Sequence, residues 1–202
     1  MPADALVLAT RNEGKLRELA RILGTQVHLA GLGAFPGAPD VPETGATFEA
    51  NALLKARAVA AYTRLPVVAD DSGLCVDALN GMPGVLSARW AGQHGDDQAN
   101  LDLLLAQIAD VPDARRGARF VCAAALVVPA DGIPKEWVVT GQVEGRLIRA
   151  PRGTGGFGYD PIFQPDGFDV TTAEMTTDAK DAISHRGRAF RALAPFITGR
   201  LT

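Results

Sequence analysis

The 202 residues are 47% hydrophobic, with 20 basic against 23 acidic side chains and a formal charge of −3. A chain of that size buries about 70% of its unfolded surface and forms one domain or two tightly joined lobes, and its charge creates no global field toward nucleic acid or an anionic membrane. The longest apolar stretch, residues 120–129, falls well short of the roughly 20 residues of a membrane helix, and no basic segment leads into an apolar one at the N-terminus, so a cytoplasmic protein is expected. Cys75 and Cys122 stand far apart without Cys/His clustering, which argues against a disulfide framework or a zinc site and makes both small buried hydrophobes.

Residues 5–9 predict a short apolar strand running into the polar loop Thr10-Arg11-Asn12-Glu13-Gly14-Lys15. Leu16, Leu19, Ala20 and Leu23 then recur at helical spacing, with Gly24 as the stop. Backbone N–H groups at such a helix start favour an anion, and Lys15 in the first turn adds a point charge suited to phosphate. A plain cap with a solvated lysine is the competing reading. The loop lacks G-x-x-x-x-G-K-[ST], which excludes a Walker-type loop. Residues 26–30 predict a second strand, with Gly and Pro punctuation through Pro42. In residues 44–62, Phe48, Ala52, Lys55, Ala56 and Val59 follow helical spacing behind Thr47 as the cap. Glu43 stands just before this helix, and Asn51 and Lys55, one turn apart, point the same way. An exposed helix lysine is the alternative for Lys55.

Residues 65–74, Leu-Pro-Val-Val-Ala-Asp-Asp-Ser-Gly-Leu, set a β-branched apolar run directly before two carboxylates, a hydroxyl and a glycine. Consecutive strand residues face opposite ways, so the strand is expected to end at Asp70 and Asp71, the kind of terminus where open α/β sheets bind ligands. A solvated turn is the other reading of Asp-Asp-Ser-Gly. Residues 77–84 are turn-rich, and 96–108 predict a surface or interface helix carrying Leu101, Leu104, Leu105 and Ile108. Residues 119–128 and 137–143 predict a β-hairpin, with Pro134 in its connection or at an edge. The stretch 151–161 then packs Gly153, Gly155, Gly156 and Gly158 around Phe157, with Tyr159 and Asp160 following. Such a loop lets backbone approach a ligand closely while the two rings offer stacking faces; a merely flexible loop is the alternative. Lys180 precedes Ser184-His185-Arg186-Gly187, which opens a terminal helix through Leu193 and Phe196. His185 and Arg186 form a donor pair at its start, unless the histidine only caps or faces solvent.

Taken together, two lysines and a helix start suit phosphates, and an aromatic, glycine-rich loop with His and Arg donors suits a flat heteroaromatic base. Mg2+ is typically held by one or two carboxylates plus substrate phosphates, a role Asp71 and Glu43 fit. With no nucleophilic Ser/His or Cys/His arrangement evident, hydrolysis would use metal-assisted water and a carboxylate general base.

Five ordered segments carry a resemblance: Thr10 to Lys15, Glu43-Thr44-Gly45 with Phe48 to Ala52 and Lys55, Ala69 to Leu74, Gly155 to Pro161, and Ser184 to Gly187. In that order, from about residue 5 to residue 196, they resemble the noncanonical purine nucleoside triphosphate pyrophosphatases, the inosine/xanthosine triphosphate pyrophosphatase (Ham1-like) family. The resemblance implies an α/β fold with an elongated mixed β-sheet flanked by helices, two lobes with a nucleotide cleft between them, the whole chain 1–202 forming a single two-lobed domain, and a homodimer. It also implies Mg2+-dependent hydrolysis of ITP, dITP and XTP to the monophosphate and pyrophosphate. Carried onto this chain, Thr10, Arg11, Asn12, Glu13, Gly14 and Lys15 would hold the triphosphate, assisted by Lys55. Asp71 would be general base and metal-linked acid, Glu43 a second metal ligand, and Ser72 a substrate contact. Phe157 would stack on the base, Gly158, Tyr159 and Asp160 would complete the pocket, and Lys180, His185 and Arg186 would meet the base edge. Arg11 stands where many relatives have a small residue.

A physical reason supports such selectivity. Hypoxanthine and xanthine present an acceptor oxygen at C6 where adenine presents a donor, and a pocket of buried donors rejects the mismatch by factors up to about 10⁴. Two other readings compete with this one. A Maf-like pyrophosphatase acting on modified pyrimidine nucleotides shares the opening strand, loop and helix, and a catalytically silent nucleotide sensor would share the binding residues. A nucleic-acid-binding role is disfavoured by the negative charge and the absence of a basic stripe.

Overall fold

The computed structural model describes residues 5–24 and 27–199, with the side chains of Glu13 and Glu18 excepted. The opening strand β1 (Leu6–Leu8) is buried throughout. The chain then turns at Asn12, whose side chain accepts the N–H groups of Gly14 and Lys15 and so caps α1 (Glu13–Leu23). Gly24 ends that helix with φ at 69°, a conformation that suits glycine. Strand β2 (Leu29–Gly31) lies parallel to β1 in the register Leu6 to Leu29; Gln26 of the expected second strand is outside the described residues. Helix α2 (Phe48–Thr63) starts on Thr47, whose hydroxyl accepts the Ala50 N–H at 3.2 Å. The chain returns as β3 (Val67–Val76), parallel to β1 on the side opposite β2, in the register Val7 to Val67. The chain therefore goes from β1 to β2 on one side and from β2 back past β1 to β3 on the other, so the strand order reverses at β1, and the loop after β1 sits where open α/β sheets bind ligands.

The expected end of β3 at the paired aspartates is overturned, because the strand continues through Asp70, Asp71, Ser72 and Gly73 to Val76. Both aspartates are buried. Adjacent strand carboxylates survive there because each face of the strand supplies its own cationic partners, given below.

Strands β4 (Gly117–Val128), β5 (Lys135–Leu147) and β6 (Phe163–Pro165) complete a six-stranded sheet in the order β2-β1-β3-β4-β5-β6. Parallel pairs around β1 and the antiparallel β5/β6 pair make it a mixed sheet. The expected hairpin strands are neighbours, with Pro134 in their connection. The remaining helices are α3 (Asp97–Gln107), α4 (Thr177–Ile183) and α5 (His185–Thr198). Among the described residues, no helix is long and apolar enough to cross a membrane.

The chain divides into two compact units. The first, residues 1–71, 122–141 and 186–202, packs Leu6 and Leu8 of β1, Leu19 of α1, Val68 of β3, Cys122 and Ala124 of β4, and Phe190 and Leu193 of α5 into one core. Burying a side chain such as Phe190 or Leu193 contributes about 1.5 to 3 kcal/mol. The second, residues 72–121 and 142–185, is built around Leu74, Leu101, Leu104, Ile108, Ile162 and Phe163. The leucine stripe of α3 faces this core while Gln98, Asp102 and Gln107 lie exposed on its other side, the arrangement of a surface helix. Arg116 fastens the second unit internally, its guanidinium donating to the carbonyls of Ile108 and Leu147 at 2.7 and 2.8 Å. Of the two cysteines, Cys122 is buried as expected and Cys75 is half-buried.

Candidate active site

Alternation along β3 sorts the first unit's charges. Val68 and Asp70 point to the face that α1 and α5 cover, where Val68 packs in the same core as Leu19 and Phe190. Lys15, in the first turn of α1, donates to both oxygens of Asp70 at 3.2 and 3.0 Å. Arg186, near the start of α5, brings its Nε to Asp70 Oδ2 at 3.2 Å. Asp71 points the other way, toward α2. Asn51 Nδ2 donates to Asp71 Oδ2 at 3.0 Å, and Lys55, one turn further along the helix, reaches Asp71 Oδ1 at 3.5 Å and Glu43 Oε1 at 2.7 Å. The Gly45 N–H donates to Asn51 Oδ1 at 2.7 Å, which fixes the amide so that its Nδ2 faces Asp71. A Cβ at position 45 would meet that same oxygen at 2.8 Å, so the contact needs glycine.

Burial raises the carboxyl of Asp71 above the ordinary aspartate range, and the neighbouring charges of Glu43 and Asp70 add to this against the opposing pull of Lys55 and Asn51. The result is a carboxylate more basic than usual, poised to accept a proton. For Asp70, burial also opposes the charge, but Lys15, Arg186 and Lys55 outweigh it and hold its carboxyl well below the usual range. Burial works against the charge of Lys55 as well, and Asp71 and Glu43 more than compensate, so its ammonium is held protonated.

In the loop after β1, Thr10 Oγ1 accepts the Asn12 N–H at 3.1 Å, while Asn12 Oδ1 accepts the N–H groups of Gly14 and Lys15. Arg11 is exposed and reaches the Ala38 carbonyl at 3.4 Å. The side chain of Glu13 lies outside the described residues. Lys15 is thus anchored at the head of the helix by Asp70, with its side chain 23% exposed, and is not a freely solvated cap lysine.

The donor chemistry suits a hard cation. Glu43 and Asp71 share Lys55, so these three side chains carry one negative charge more than they neutralise, on oxygen donors. Among the described residues no group of three or more His, Cys, Asp and Glu gathers as a protein-only cage. Two carboxylates completed by substrate phosphates is how Mg2+ is commonly bound.

The second unit carries the glycine-rich loop. Of its two rings, Phe157 is 61% exposed, whereas Tyr159 is buried in the core with its hydroxyl donating to the Ser87 carbonyl at 2.9 Å. The stacking face expected of Tyr159 is therefore absent, because that ring fills the core beside Ile162 and Phe163. Asp160 is buried and accepts the Phe157 N–H at 2.8 Å, the Thr172 hydroxyl at 2.7 Å and the ammonium of Lys180. Lys180 Nζ lies 5.4 Å from the Phe157 ring centroid. The Gly158 N–H donates to Asp97 at 2.8 Å. His185 opens α5 with its ring stacked on Phe120, centroids 5.0 Å apart. Ser72, next after Asp71 on β3, is half-buried.

The sequence assigns no role to Asn51 or Asp97, and for Asp70 it supports only that of a supporting ligand or orienting group beside Asp71. The i,i+4 spacing of Asn51 and Lys55 was the available signal for the first. Asp70 and Asp97 act through partners 116 and 61 positions away, which no local pattern carries.

The model of the Ham1 family matches residues 6–196. A dITP/XTP pyrophosphatase of Streptomyces coelicolor is 65% identical over 195 residues, spanning 95% of this chain and 96% of that protein. The crystal structure of a nucleoside-triphosphatase / dITP/XTP pyrophosphatase from Mycobacterium abscessus matches with a TM-score of 0.79 and 58% identity over 95% of this chain and 99% of that one. The Ham1 protein of Staphylococcus aureus matches with a TM-score of 0.87 and 40% identity over 97% and 99%.

Proposed function

The chain belongs to the Ham1 family, and we propose that it is a Mg2+-dependent pyrophosphatase that hydrolyses noncanonical purine nucleoside triphosphates, ITP, dITP and XTP, to the monophosphate and pyrophosphate. The observation that carries this reading is the buried, unusually basic Asp71 beside Lys55 and Glu43. In the proposed reaction Asp71 accepts a proton from the attacking water. The water oxygen bonds to the α-phosphorus while the bond from that phosphorus to the bridging oxygen breaks, and pyrophosphate departs with the electron pair. Lys15 and Lys55 offset the charge of the phosphates, with Thr10, Arg11, Asn12, Glu13 and Gly14 around the triphosphate and Ser72 as a further contact. Glu43 and Asp71 would hold Mg2+, which when bound supplies charge neutralisation at the phosphates.

Phe157 is the proposed stacking face for the base, and the loop backbone at Gly158, Tyr159 and Asp160 its surround. Lys180 and His185 are the proposed donors at the base edge. Arg186, whose Nε meets Asp70, is the third proposed donor at the base edge. An enzyme of the nucleotide pool works in the cytoplasm without nucleic acid or membrane, and the family resemblance adds a homodimer.

The test is a nucleotide panel with product identification. Incubation with dITP, ITP, XTP, ATP and GTP in Mg2+ is expected to give preferential turnover of the first three, with pyrophosphate as product and loss of turnover on chelation. Equal turnover of all five, or orthophosphate as the sole product, would overturn the reading. Preference for a methylated pyrimidine triphosphate would favour the Maf-like alternative, and binding without turnover the sensor.

A further inference from the structure

In the glycine-rich loop two consecutive backbone N–H groups each meet a carboxylate. The Phe157 N–H donates to Asp160 Oδ2 and the Gly158 N–H to Asp97 Oδ2, both at 2.8 Å. The exposed ring of Phe157 projects from between these two anchors. A segment in which Gly156 and Gly158 both have positive φ, 73° and 60°, has little stiffness of its own, so the direction of the ring follows from what holds the flanking peptides. One anchor, Asp160, belongs to the loop itself. The other is supplied by α3, which is fixed to the second unit's core through Leu101 and Leu104.

Asp97 has no evident alternative task. The cap of α3 is Asp96, whose side chain accepts the Ala99 N–H at 3.0 Å, so helix initiation does not require Asp97. A carboxylate in the first helical turn favours the dipole, but that effect is indifferent to the Gly158 peptide.

We propose that Asp97 is a positioning residue: by accepting the Gly158 N–H it fixes the peptide that follows Phe157 and so aims the Phe157 ring at the purine base. The inference rests on the reading of Phe157 as the stacking face. In this proposal Asp97 acts through the Gly158 peptide, so its influence is confined to the nucleoside end.

The experiment compares Asp97→Ala, Asp97→Asn and Phe157→Ala in the full chain, reading dITP kinetics, inhibition by inorganic tripolyphosphate, thermal melting and the amide proton shift of Gly158. Asp97→Ala is expected to raise KM for dITP by about fivefold, one hydrogen bond's worth, with kcat and tripolyphosphate inhibition unchanged within about twofold. Asp97→Asn keeps an acceptor oxygen and should restore both KM and the Gly158 amide shift. An unchanged KM in Asp97→Ala alongside a raised KM in Phe157→Ala would overturn the inference. So would a fall in kcat, tripolyphosphate binding and melting temperature together without rescue by asparagine, which marks a structural role. If Phe157→Ala leaves KM unmoved, the stacking reading fails and the inference falls with it, whereas the Gly158 shift still reports whether the hydrogen bond forms.

Discussion

Asp70 and Asp71 differ in which protonation state the fold prefers, and that difference separates structure from chemistry at adjacent positions. The folded state lowers the Asp70 carboxyl, so the stability it contributes is fully present above the ordinary aspartate value of 3.8 and is lost as pH falls below it toward the folded value. Asp70→Asn leaves Lys15 and Arg186 facing a neutral group, and breaking a buried pair in this way costs about 3 to 5 kcal/mol. Urea unfolding at neutral pH should register that loss, and the gap between parent and variant should close as pH drops below 3.8; a gap independent of pH would refute the assignment. The folded state raises Asp71, so its contribution is present below 3.8 and lost as pH rises through the folded value, which leaves the ionised form tolerated at neutral pH and not favoured. Asp71→Asn should therefore change stability by no more than about one hydrogen bond, roughly 1 kcal/mol, since one of its donors loses an acceptor. Turnover of dITP should fall by about 10²- to 10⁴-fold, the usual contribution of a general base. Retained turnover would remove Asp71 from the chemistry.

At the scale of elements, the loop around Phe157 offers the sharpest test. Gly156 has φ at 73°, a conformation costing an L-residue about 1 to 2 kcal/mol, and a Cβ there would collide with the Asp160 carboxylate. Gly156→Ala is expected to displace Asp160 from the Phe157 N–H and raise KM for dITP about tenfold, equivalent to about 1.4 kcal/mol; unaltered kinetics would show that the loop conformation is irrelevant to binding. How much could be read in advance differs between elements. Helix α2 was legible because its cap Thr47 and the spacing of Phe48, Ala52, Ala56 and Val59 are all local signals. The length of β3 was not, because Asp70 inside a strand makes sense only with Lys15 and Arg186, 55 and 116 residues away, in place, and Asp71 beside it only with Asn51 and Lys55 on the other face. Phe157 and Tyr159 look alike two positions apart in sequence, yet one is exposed and the other is held in the core by Ser87, 72 residues earlier. In each case local propensity was readable, and the missing part was a partner distant in the chain.

For the whole molecule, each unit is discontinuous in sequence, the first built from three segments and the second from two. Strand β3 passes from one to the other between Asp71 and Ser72, β4 between Val121 and Cys122, and β5 between Gly141 and Gln142. Melting either unit would therefore cut three strands in mid-length and forfeit the ladder hydrogen bonds at each cut, a net loss of about 0.5 to 1.5 kcal/mol apiece. Partial unfolding should accordingly be too costly to populate, and the chain should unfold in one cooperative step despite having two cores. The two tryptophans report separately: Trp90, whose indole donates to Gln107 at 2.8 Å, belongs to the second unit, and Trp137, against Phe196, to the first. Urea titrations of Trp90→Phe and Trp137→Phe, each followed by the fluorescence of the remaining indole, should each coincide with the far-UV circular dichroism transition of the same variant. A fluorescence midpoint displaced from the circular dichroism midpoint in either variant would show that one core melts before the other and that strand continuity does not bind the two units into a single cooperative fold.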